Sequence, residues 1–375
     1  MKRYFILLTV LAFCCRSLAQ GGVSGFLKKV GALLDTMSVK GIDRNYIDAP
    51  EKPWQLIVRS SMDQSSLTMK ASGDIYGMDY SVKPHLKTET SRYVGLWAGY
   101  RGYGLGYTVN VSGDRGSSFS FGATGGSYGI NLRIHTFRSN HPDFDLNGDI
   151  VPEEYKDDWQ VANLIDPIKV RSVIADAYYL FNGKHFSYCA AYDQSVLQKR
   201  SAGSLMAGVM YYYGHVNYAS DTNGDLVYLM DGLGRVKLWQ GSVGVGYAYN
   251  WVPVRGLLVN VMAMPMLTIV NKIKAYEYTT NVEELMADPT FSDEDIDDAA
   301  WDEWWYSNLR ISPLGDETFN SGMTVNFDAR VSLTYNFGRY FVNAYGQFVR
   351  FRYQHSESSG HLDDWFVNAS IGIRL

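Results

Sequence analysis

Charged residues, prolines and cysteines are all scarce in this sequence of 375 residues. Charged side chains make up 19% of it, the formal net charge is −5, and there are 10 prolines. An aromatic content of 14% with so small a net charge excludes a disordered chain. No basic patch supports a nucleic-acid partner. Beyond residue 20, no apolar run approaches the roughly 18 residues that a membrane-spanning helix needs, which argues against a helical membrane protein.

The N-terminus has the organisation of an export signal. Lys2 and Arg3 precede a short apolar stretch at 4–13, and residues 17–19 form a small-x-small cleavage site. This order is typical of a cleaved secretory signal peptide, and the stretch is too short to span a membrane. We therefore predict a signal peptide at 1–19.

The three cysteines divide between the leader and the rest of the chain. Cys14 and Cys15 are removed with the leader, so Cys189 remains alone and cannot form an internal disulfide. Lipidation at Cys14 is the alternative to simple cleavage, but Phe13 is bulky where a small residue should precede a lipidated cysteine. A small disulfide-stapled secreted domain is excluded.

Aromatic residues and glycines are abundant, and the clearest pattern alternates apolar and polar residues. Residues 324–337 read TVNFDARVSLTYNF, with seven apolar residues at odd positions and seven polar ones at even positions. Period two predicts a strand with one apolar and one polar face. Its length exceeds the usual five or six residues and suits a tilted strand that meets lipid outside and a lumen inside. The segment from Trp365 to Leu375 repeats the pattern.

The connections between candidate strands alternate in length. Long or medium loops are predicted at 137–169, 216–236, 271–321 and 354–362, and short turns at Asn182-Gly183, near Pro253 and at Gly338-Arg339. Long loops at one end and short turns at the other are typical of transmembrane barrels. We predict an all-β fold over 51–375, a transmembrane antiparallel β-barrel of about 12 strands. The strand from Tyr340 to Tyr353 is imperfect, because Asn343 and Gln347 fall on the face expected to meet lipid; either a bulge shifts the register or the strand packs differently.

Residues 20–50 are predicted to form a separate N-terminal segment. Within it, residues 24–38 can form a short helix with Phe26, Val30 and Leu33 on one face. We expect an interfacial or periplasmic helix that precedes the barrel. A plug inside the lumen is the alternative.

The region 172–208 resembles a known family. The stretches 182–187 and 198–204, with Ala190-Ala191 between them, and Asp43 with Tyr46-Ile47, are similar to an uncharacterised bacterial outer-membrane β-barrel family of the domain of unknown function 4421 type. The resemblance covers nearly the whole mature chain. It implies an exported barrel of the Gram-negative envelope and assigns no activity to any residue.

Two sets of polar residues raise functional hypotheses. His185 and Ser187 are two residues apart, which is the only hint of an outer-membrane lipid-modifying hydrolase, but no Gly-x-Ser-x-Gly elbow supports it. We expect no catalytic residue and no enzyme activity. Asp328 and Arg330 share the lumen side of one strand. They form either a charge pair that tunes a pore or holds a plug, or ordinary solvated lumen residues.

An acidic segment matches the pattern of a calcium-binding loop. Residues 143–154 read DFDLNGDIVPEE, in which Asp143, Asp145, Asn147 and Glu154 supply side-chain oxygens and Asp149 a backbone carbonyl. Val151 offers no oxygen at the ninth position and flanking helices are not evident. A simple Asn-Gly turn in an acidic loop is the alternative. Ca²⁺ is thus the one candidate ion, and no cofactor is required.

Taken together, these patterns predict an integral protein of the bacterial outer membrane that acts as a pore or as a structural or binding component of the envelope. The expected partners are outer-membrane lipid, the barrel-insertion machinery, and an extracellular glycan or protein ligand. The last would dock at loop 283–303, where ten acids precede and surround Trp301, Trp304 and Trp305.

Overall fold

The computed structural model describes residues 41–375, except 76–77, 149–159, 162, 231, 293–296 and 356–357. The signal peptide and the helix predicted at 24–38 lie outside the described residues. The strands are β1 (Ile47–Asp48), β2 (Trp54–Ile75), β3 (Met78–Lys87), β4 (Ser91–Tyr100), β5 (Tyr103–Ser112), β6 (Arg115–Thr124), β7 (Tyr128–Ser139), β8 (Asp143–Gly148), β9 (Gln160–Val161), β10 (Ile168–Leu180), β11 (Leu197–Gln198), β12 (Ala202–Asn217), β13 (Leu233–Trp251), β14 (Leu257–Thr280), β15 (Ile311–Asn320), β16 (Val325–Phe337), β17 (Tyr340–His355) and β18 (Ser358–Arg374).

Helical segments are short and lie in the connections. They are α1 (Tyr188–Tyr192), α2 (Gly224–Leu229), α3 (Val282–Met286) and α4 (Asp298–Asn308), with 3₁₀ turns at Asp221–Asn223 and Pro289–Ser292. None of the helices in the described part of the chain is long and apolar enough to cross a bilayer.

Twelve antiparallel strands close into a barrel, which confirms the predicted strand number. Their order is β2, β4, β5, β6, β7, β10, β12, β13, β14, β16, β17 and β18, and the ring closes because β18 pairs with β2 from Arg374 opposite Gln55 to Ser358 opposite Ala71. β3, β8, β9 and β15 extend the sheet at one rim. Closure leaves no unpaired edge in the ring of twelve, as a bilayer requires.

The alternating pattern of the sequence is the alternation between the two faces of the wall. On β16, Val331 is 51% and Leu333 48% exposed, whereas Asp328 and Arg330 are buried inside. On β18, Val367 points outward and Arg374 inward. A continuous apolar outer surface of this kind is stable in contact with lipid acyl chains.

The two ends of the barrel differ, as the spacing predicted. Trp54 and Leu375 exchange backbone hydrogen bonds at one end, which also carries the short turns at 101–102, 252–256 and 338–339. Gly102 is required in its turn, since its φ is +89° and an added Cβ would lie 2.5 Å from the Thr124 carbonyl oxygen. The opposite end carries the long connections.

Two parts of the sequence-based assignment were wrong. The loop predicted at 354–362 is the tip of the hairpin formed by β17 and β18, and much of the loop predicted at 271–321 is strand, because β14 continues to Thr280 and pairs with β15. β17 is regularly paired, so the imperfect pattern reflects different packing and no bulge: Asn343 faces the lumen, and so does Phe341. The lumen accepts apolar rings, which a simple inside-polar rule does not anticipate.

The third correction concerns the turn predicted at Asn182-Gly183. The chain does not reverse there into a tight hairpin, because the Asn182 carbonyl accepts from His185 N and the segment continues as a helical turn. Residues 181–201, called the plug below, fold back into the barrel and carry α1. Tyr188, Cys189, Ala190 and Ala191 are all buried.

Candidate functional site

The plug is held inside the barrel by polar side chains from several strands. The Ser187 hydroxyl caps α1 by accepting from Ala190 N at 3.2 Å. Asn250 on β13 donates to the Ser187 carbonyl at 2.8 Å, and the Tyr192 hydroxyl donates to Asn260 on β14. These contacts satisfy backbone groups of the plug that would otherwise be buried without partners.

The last two barrel strands hold the other end of the plug. Asn343 on β17 donates to the Ala191 carbonyl at 3.4 Å, and Arg374 on β18 donates to the Gln194 carbonyl at 2.9 Å. In addition, β1 pairs with β11, which belongs to the plug, so that Ile47 packs against the plug. The plug is therefore attached to both the wall and the N-terminal segment.

Burial changes the titration of two plug side chains. It raises the pKa of the Cys189 thiol and of the Asp193 carboxyl. The Asp193 carboxylate accepts from the Thr124 hydroxyl at 2.5 Å and from Ser195 N at 2.7 Å, and these bonds oppose the effect of burial. A buried, protonated thiol is a poor nucleophile, so Cys189 behaves as a packing residue.

Above the plug, Arg330 is the centre of a buried charge network. Its Nη2 lies 2.7 Å from Asp328 and 3.1 Å from Asp176, which stands across the lumen on β10. Its Nη1 donates to the Tyr188 hydroxyl of the plug. Gln347 donates to Asp328 at 2.9 Å. Arg330 thus bonds to the segment 181–201, whereas the plug considered from the sequence, residues 24–38, lies outside the described residues.

A second set of charges crosses the lumen on the loop side. Arg133 on β7 donates to Asp364 on β18 at 2.6 Å. His135 Nε2 lies 3.0 Å from the Tyr93 hydroxyl and 3.6 Å from Asp63. β7 and β18 are separated by four strands around the ring, so these contacts span the interior. We call this set the roof.

Between the plug and the roof lies a cavity of about 160 Å³. The residues that matter for its chemistry are Arg59, Trp97, Asn131, Gln347, Phe366 and Asn368. The Trp97 ring lies against the wall where β5 and β6 have glycines: an added Cβ at Gly104 or Gly106 would come within 2.4 or 2.7 Å of that ring. The inward glycines of β5 thus make room for an aromatic platform.

The other half of the lumen is packed with apolar side chains. Met262, Met264 and Met266 occupy consecutive inward positions on β14 and are each 1% exposed. Tyr212 stacks on Phe351 at a centroid distance of 3.9 Å. The plug, the roof and this cluster all lie inside the wall of the barrel.

The residues of the hydrolase hypothesis do not act on one another. The Ser187 hydroxyl is engaged in capping α1, while His185 contacts Asn182 through Nδ1 at 3.0 Å and lies 3.5 Å from Asp43 through Nε2. The lipid-hydrolase alternative is not supported.

The calcium loop falls partly on strand β8. Asp143 lies 3.5 Å from Lys87, and the segment Asp143–Gly148 pairs with β3, which places Asp145 and Asn147 in an extended ladder. Asp149 and Glu154 lie outside the described residues. Among the residues described, no group of three or more acidic, histidine or cysteine side chains is arranged to hold a metal ion. The calcium site stays a prediction.

The acidic external loop forms a small folded unit of its own. α3 and α4 pack together through Val282, Leu285, Trp305 and Leu309. Trp301 stacks on Trp305 at 5.3 Å between ring centroids. The tryptophans are therefore partly used in packing, and docking of a ligand there stays a prediction.

Most residues of the lumen site were not predicted from the sequence. Asp176, Arg133 and Asp364 were missed, as were Arg59 and the plug itself. The available signal was a single charged residue at an inward position of an otherwise apolar or small-residue strand, as in Ala175-Asp176-Ala177. That signal does not say which charges meet, because their partners are more than a hundred residues away.

These features define a class of protein: a closed transmembrane β-barrel whose interior is filled by a plug, ion pairs and an apolar cluster. The family model described as "Domain of unknown function (DUF4421)" matches residues 41–374. The chain belongs to this family. The match includes Asp43 and Ile47 and the whole plug, so the resemblance inferred from those residues is confirmed.

The remaining comparisons show barrels of low similarity. The β domain of the Bordetella autotransporter BrkA is 11% identical, with 86% of this chain and 100% of that one covered and a TM-score of 0.31. The COG4313 outer membrane channel of Pseudomonas putida F1 is 10% identical, with 87% of this chain and 97% of that one covered and a TM-score of 0.28. The outer membrane protein OprG of Pseudomonas aeruginosa is 10% identical, with 86% of this chain and 96% of that one covered and a TM-score of 0.25. No curated protein matches the chain. The closed ladder of this chain, rather than these scores, establishes the barrel.

Proposed function

We propose that this protein is a non-enzymatic outer-membrane barrel with a closed lumen, which works as a binding component of the envelope and not as an open diffusion pore. The observation that carries the proposal is the plug, whose carbonyls are bonded by side chains of β13, β17 and β18. An open pore needs a continuous aqueous path, and the plug and the methionine cluster occupy it.

The location and route of the protein are part of the same proposal. The leader at 1–19 directs export and is cleaved, the barrel-insertion machinery places the chain in the outer membrane, and lipid contacts the apolar outer face. The end that carries Trp54 and Leu375 faces the periplasm, since short turns lie on that side in barrels of this type. Protein recovered in the periplasmic fraction would contradict this.

Conductance in planar bilayers tests the closed lumen directly. We expect wild-type protein to give no steady channel current. Steady ohmic conductance from the wild type would overturn the proposal. Protein produced from residue 20 has Cys189 as its one cysteine, which allows a sharper version of the experiment.

The sharper version locks and releases the plug. Thr124 on β6 precedes Gly125, whose carbonyl oxygen accepts from the Cys189 thiol of the plug at 3.7 Å. Loosening the plug with Asn260→Ala and Arg330→Gln should produce openings, because two anchors are lost. Adding Thr124→Cys should silence those openings under oxidising conditions, and a reductant should restore them. Openings that persist in the oxidised, cross-linked protein would show that current does not pass the plug.

A further inference from the structure

Arg59 differs from three other arginines that point into the lumen. Arg133, Arg330 and Arg374 each donate hydrogen bonds to carboxylates or carbonyls at 2.6–3.2 Å. The guanidinium of Arg59 has no hydrogen bond and no ion pair with any residue that the structure describes. It lies over the Trp97 ring at 4.2 Å from the centroid and faces the cavity. Its donors are aimed at space that protein atoms do not fill.

The residues around Arg59 hold its guanidinium against the ring of Trp97. Gly104 and Gly106 leave the space that the Trp97 ring occupies, and Arg59 lies over that ring. Stacking on an aromatic face orients the planar guanidinium and leaves its edge free to form two parallel hydrogen bonds. This is the arrangement by which arginine recognises a carboxylate.

The other charged groups of the cavity are already engaged. Arg133 and Arg330 are paired with aspartates, Asp193 accepts from Thr124 and Ser195, and the Asp63 carboxyl lies 3.6 Å from His135 Nε2. Asp193 and Tyr345 act on Arg59 through space only. Arg59 is therefore the one cation among the described lining residues that is left to pair with a negative group of a ligand.

Size and lining define the rest of the ligand. A cavity of about 150 Å³ is large enough for benzene, and this one measures about 160 Å³. Its wall combines the rings of Trp97 and Phe366 with the side-chain amides of Asn131 and Asn368. We propose that the cavity binds a small organic monocarboxylate, with its carboxylate on Arg59 and a flat or compact body between the rings and amides. This deepens the proposed function, since it names the class of solute that the closed barrel binds.

Calorimetric titration of the folded full-length barrel in detergent tests the proposal, with sodium benzoate as the probe. Benzamide has the same size and no charge, and we expect it to bind at least about tenfold more weakly, as the loss of a charge-assisted contact implies. Arg59→Gln should weaken benzoate binding by a similar factor. Absence of saturable heat with benzoate, or equal binding of benzamide, would overturn the proposal.

Three variants separate binding from folding. Arg350→Gln removes the same charge from β17, which β18 separates from β2, and should leave benzoate binding unchanged because that guanidinium pairs with Asp363. Arg59→Lys keeps the charge and should retain part of the affinity. Gly106→Ala pushes on the Trp97 ring and should weaken binding without touching any charge. If Arg59→Gln unfolds, the Arg59→Lys and Gly106→Ala results decide, and unchanged affinity in both would refute the site.

The outcome is distinguishable from that of the conductance experiment. Benzoate binding by a barrel that conducts would keep the cavity site and remove the closed lumen. A silent barrel without benzoate binding would keep the closed lumen and remove the cavity site.

Discussion

The two halves of the lumen follow different physical rules. The half walled by β2, β4 to β7 and β16 to β18 contains the arginine network, the roof and the cavity. The half walled by β10 and β12 to β14 holds the methionine cluster, to which β17 adds Phe351, while β10 adds Asp176 to the arginine network of the first half. Both halves present the same apolar exterior to lipid. The outer face of a barrel is therefore set by the membrane, while its inner face is free to be a core on one side and a site on the other.

The largest effect is expected at the centre of the polar half. Arg330→Gln leaves Asp176 and Asp328 buried without their cation, and breaking a buried ion pair in this way typically costs about 3–5 kcal/mol. Urea unfolding in lipid vesicles, followed by heat-modifiable gel migration, measures the loss. Arg350→Gln, on a half-exposed pair, should cost less than about 1 kcal/mol.

A triple variant sharpens this prediction. Combining Arg330→Met with Asp328→Leu and Asp176→Leu replaces the charge network by apolar side chains like those of the methionine cluster. Replacing a complete buried ion network by apolar residues is often neutral or stabilising, so much of the lost stability should return. A triple variant as unstable as Arg330→Gln would show that the polar half depends on more than charge pairing.

The apolar half should respond to lost volume. Met264→Ala removes a side chain that is 1% exposed and should cost about 2–5 kcal/mol in the same unfolding experiment. Asn131→Ala, at the cavity, should cost about 1 kcal/mol, because one hydrogen bond to Asp176 is lost beside space that already exists. Equal costs would mean that the two halves are not packed differently.

The exterior should show no such division. Val331→Arg places a charge on the lipid face in mid-strand and should cost about 2–4 kcal/mol, and Val254→Arg, in a short turn at the rim, about 0–1 kcal/mol. Folding yields in vesicles measure both. The sequence pattern suggests Ser332→Arg as a tolerated control, but Ser332 is only 1% exposed inside a filled lumen, so we expect it to be overpacked.

A small effect on stability is expected for two changes in the plug. Ser187→Ala removes the cap of α1 and should cost about 1 kcal/mol. His185→Ala should cost less, because its ring is partly exposed. Neither variant should change turnover of phospholipid or lipopolysaccharide, which we expect to be absent in the wild type. Hydrolysis that disappears in either variant would reverse the assignment as a non-enzyme.

The wall of the barrel could be predicted from sequence, and the reason is local. A lipid-facing side chain meets the same solvent whatever its neighbours are, so the alternation from Val325 to Phe337 is sufficient to identify β16 and its outer face. The lengths of the connections distinguish the two ends of the barrel, and counting the candidate strands gives about twelve.

The interior could not be predicted in the same way, because its contacts are not local. Arg133 and Asp364 are 231 residues apart in sequence, and the partners of Arg330 lie on β10, β16 and the plug. The plug was misassigned because Asn182-Gly183 is a common hairpin signal, and the buried asparagines that hold the segment inside belong to other strands. Nothing local in the sequence indicates that Trp97 lies on Gly104 and Gly106.

The position of Arg374 has a kinetic consequence. Ring closure joins β18 to β2 across about three hundred residues, as the contact of Trp365 with Gln64 illustrates, and bringing such distant segments together is the slowest kind of event in folding. The last residue of β18, Arg374, donates a hydrogen bond to the Gln194 carbonyl of the plug. The last step of assembly is therefore stabilised most in a chain whose interior is already in place. Removing Ile373 and Arg374 would therefore remove the end of the seam between β18 and β2 and the hydrogen bond to the plug together.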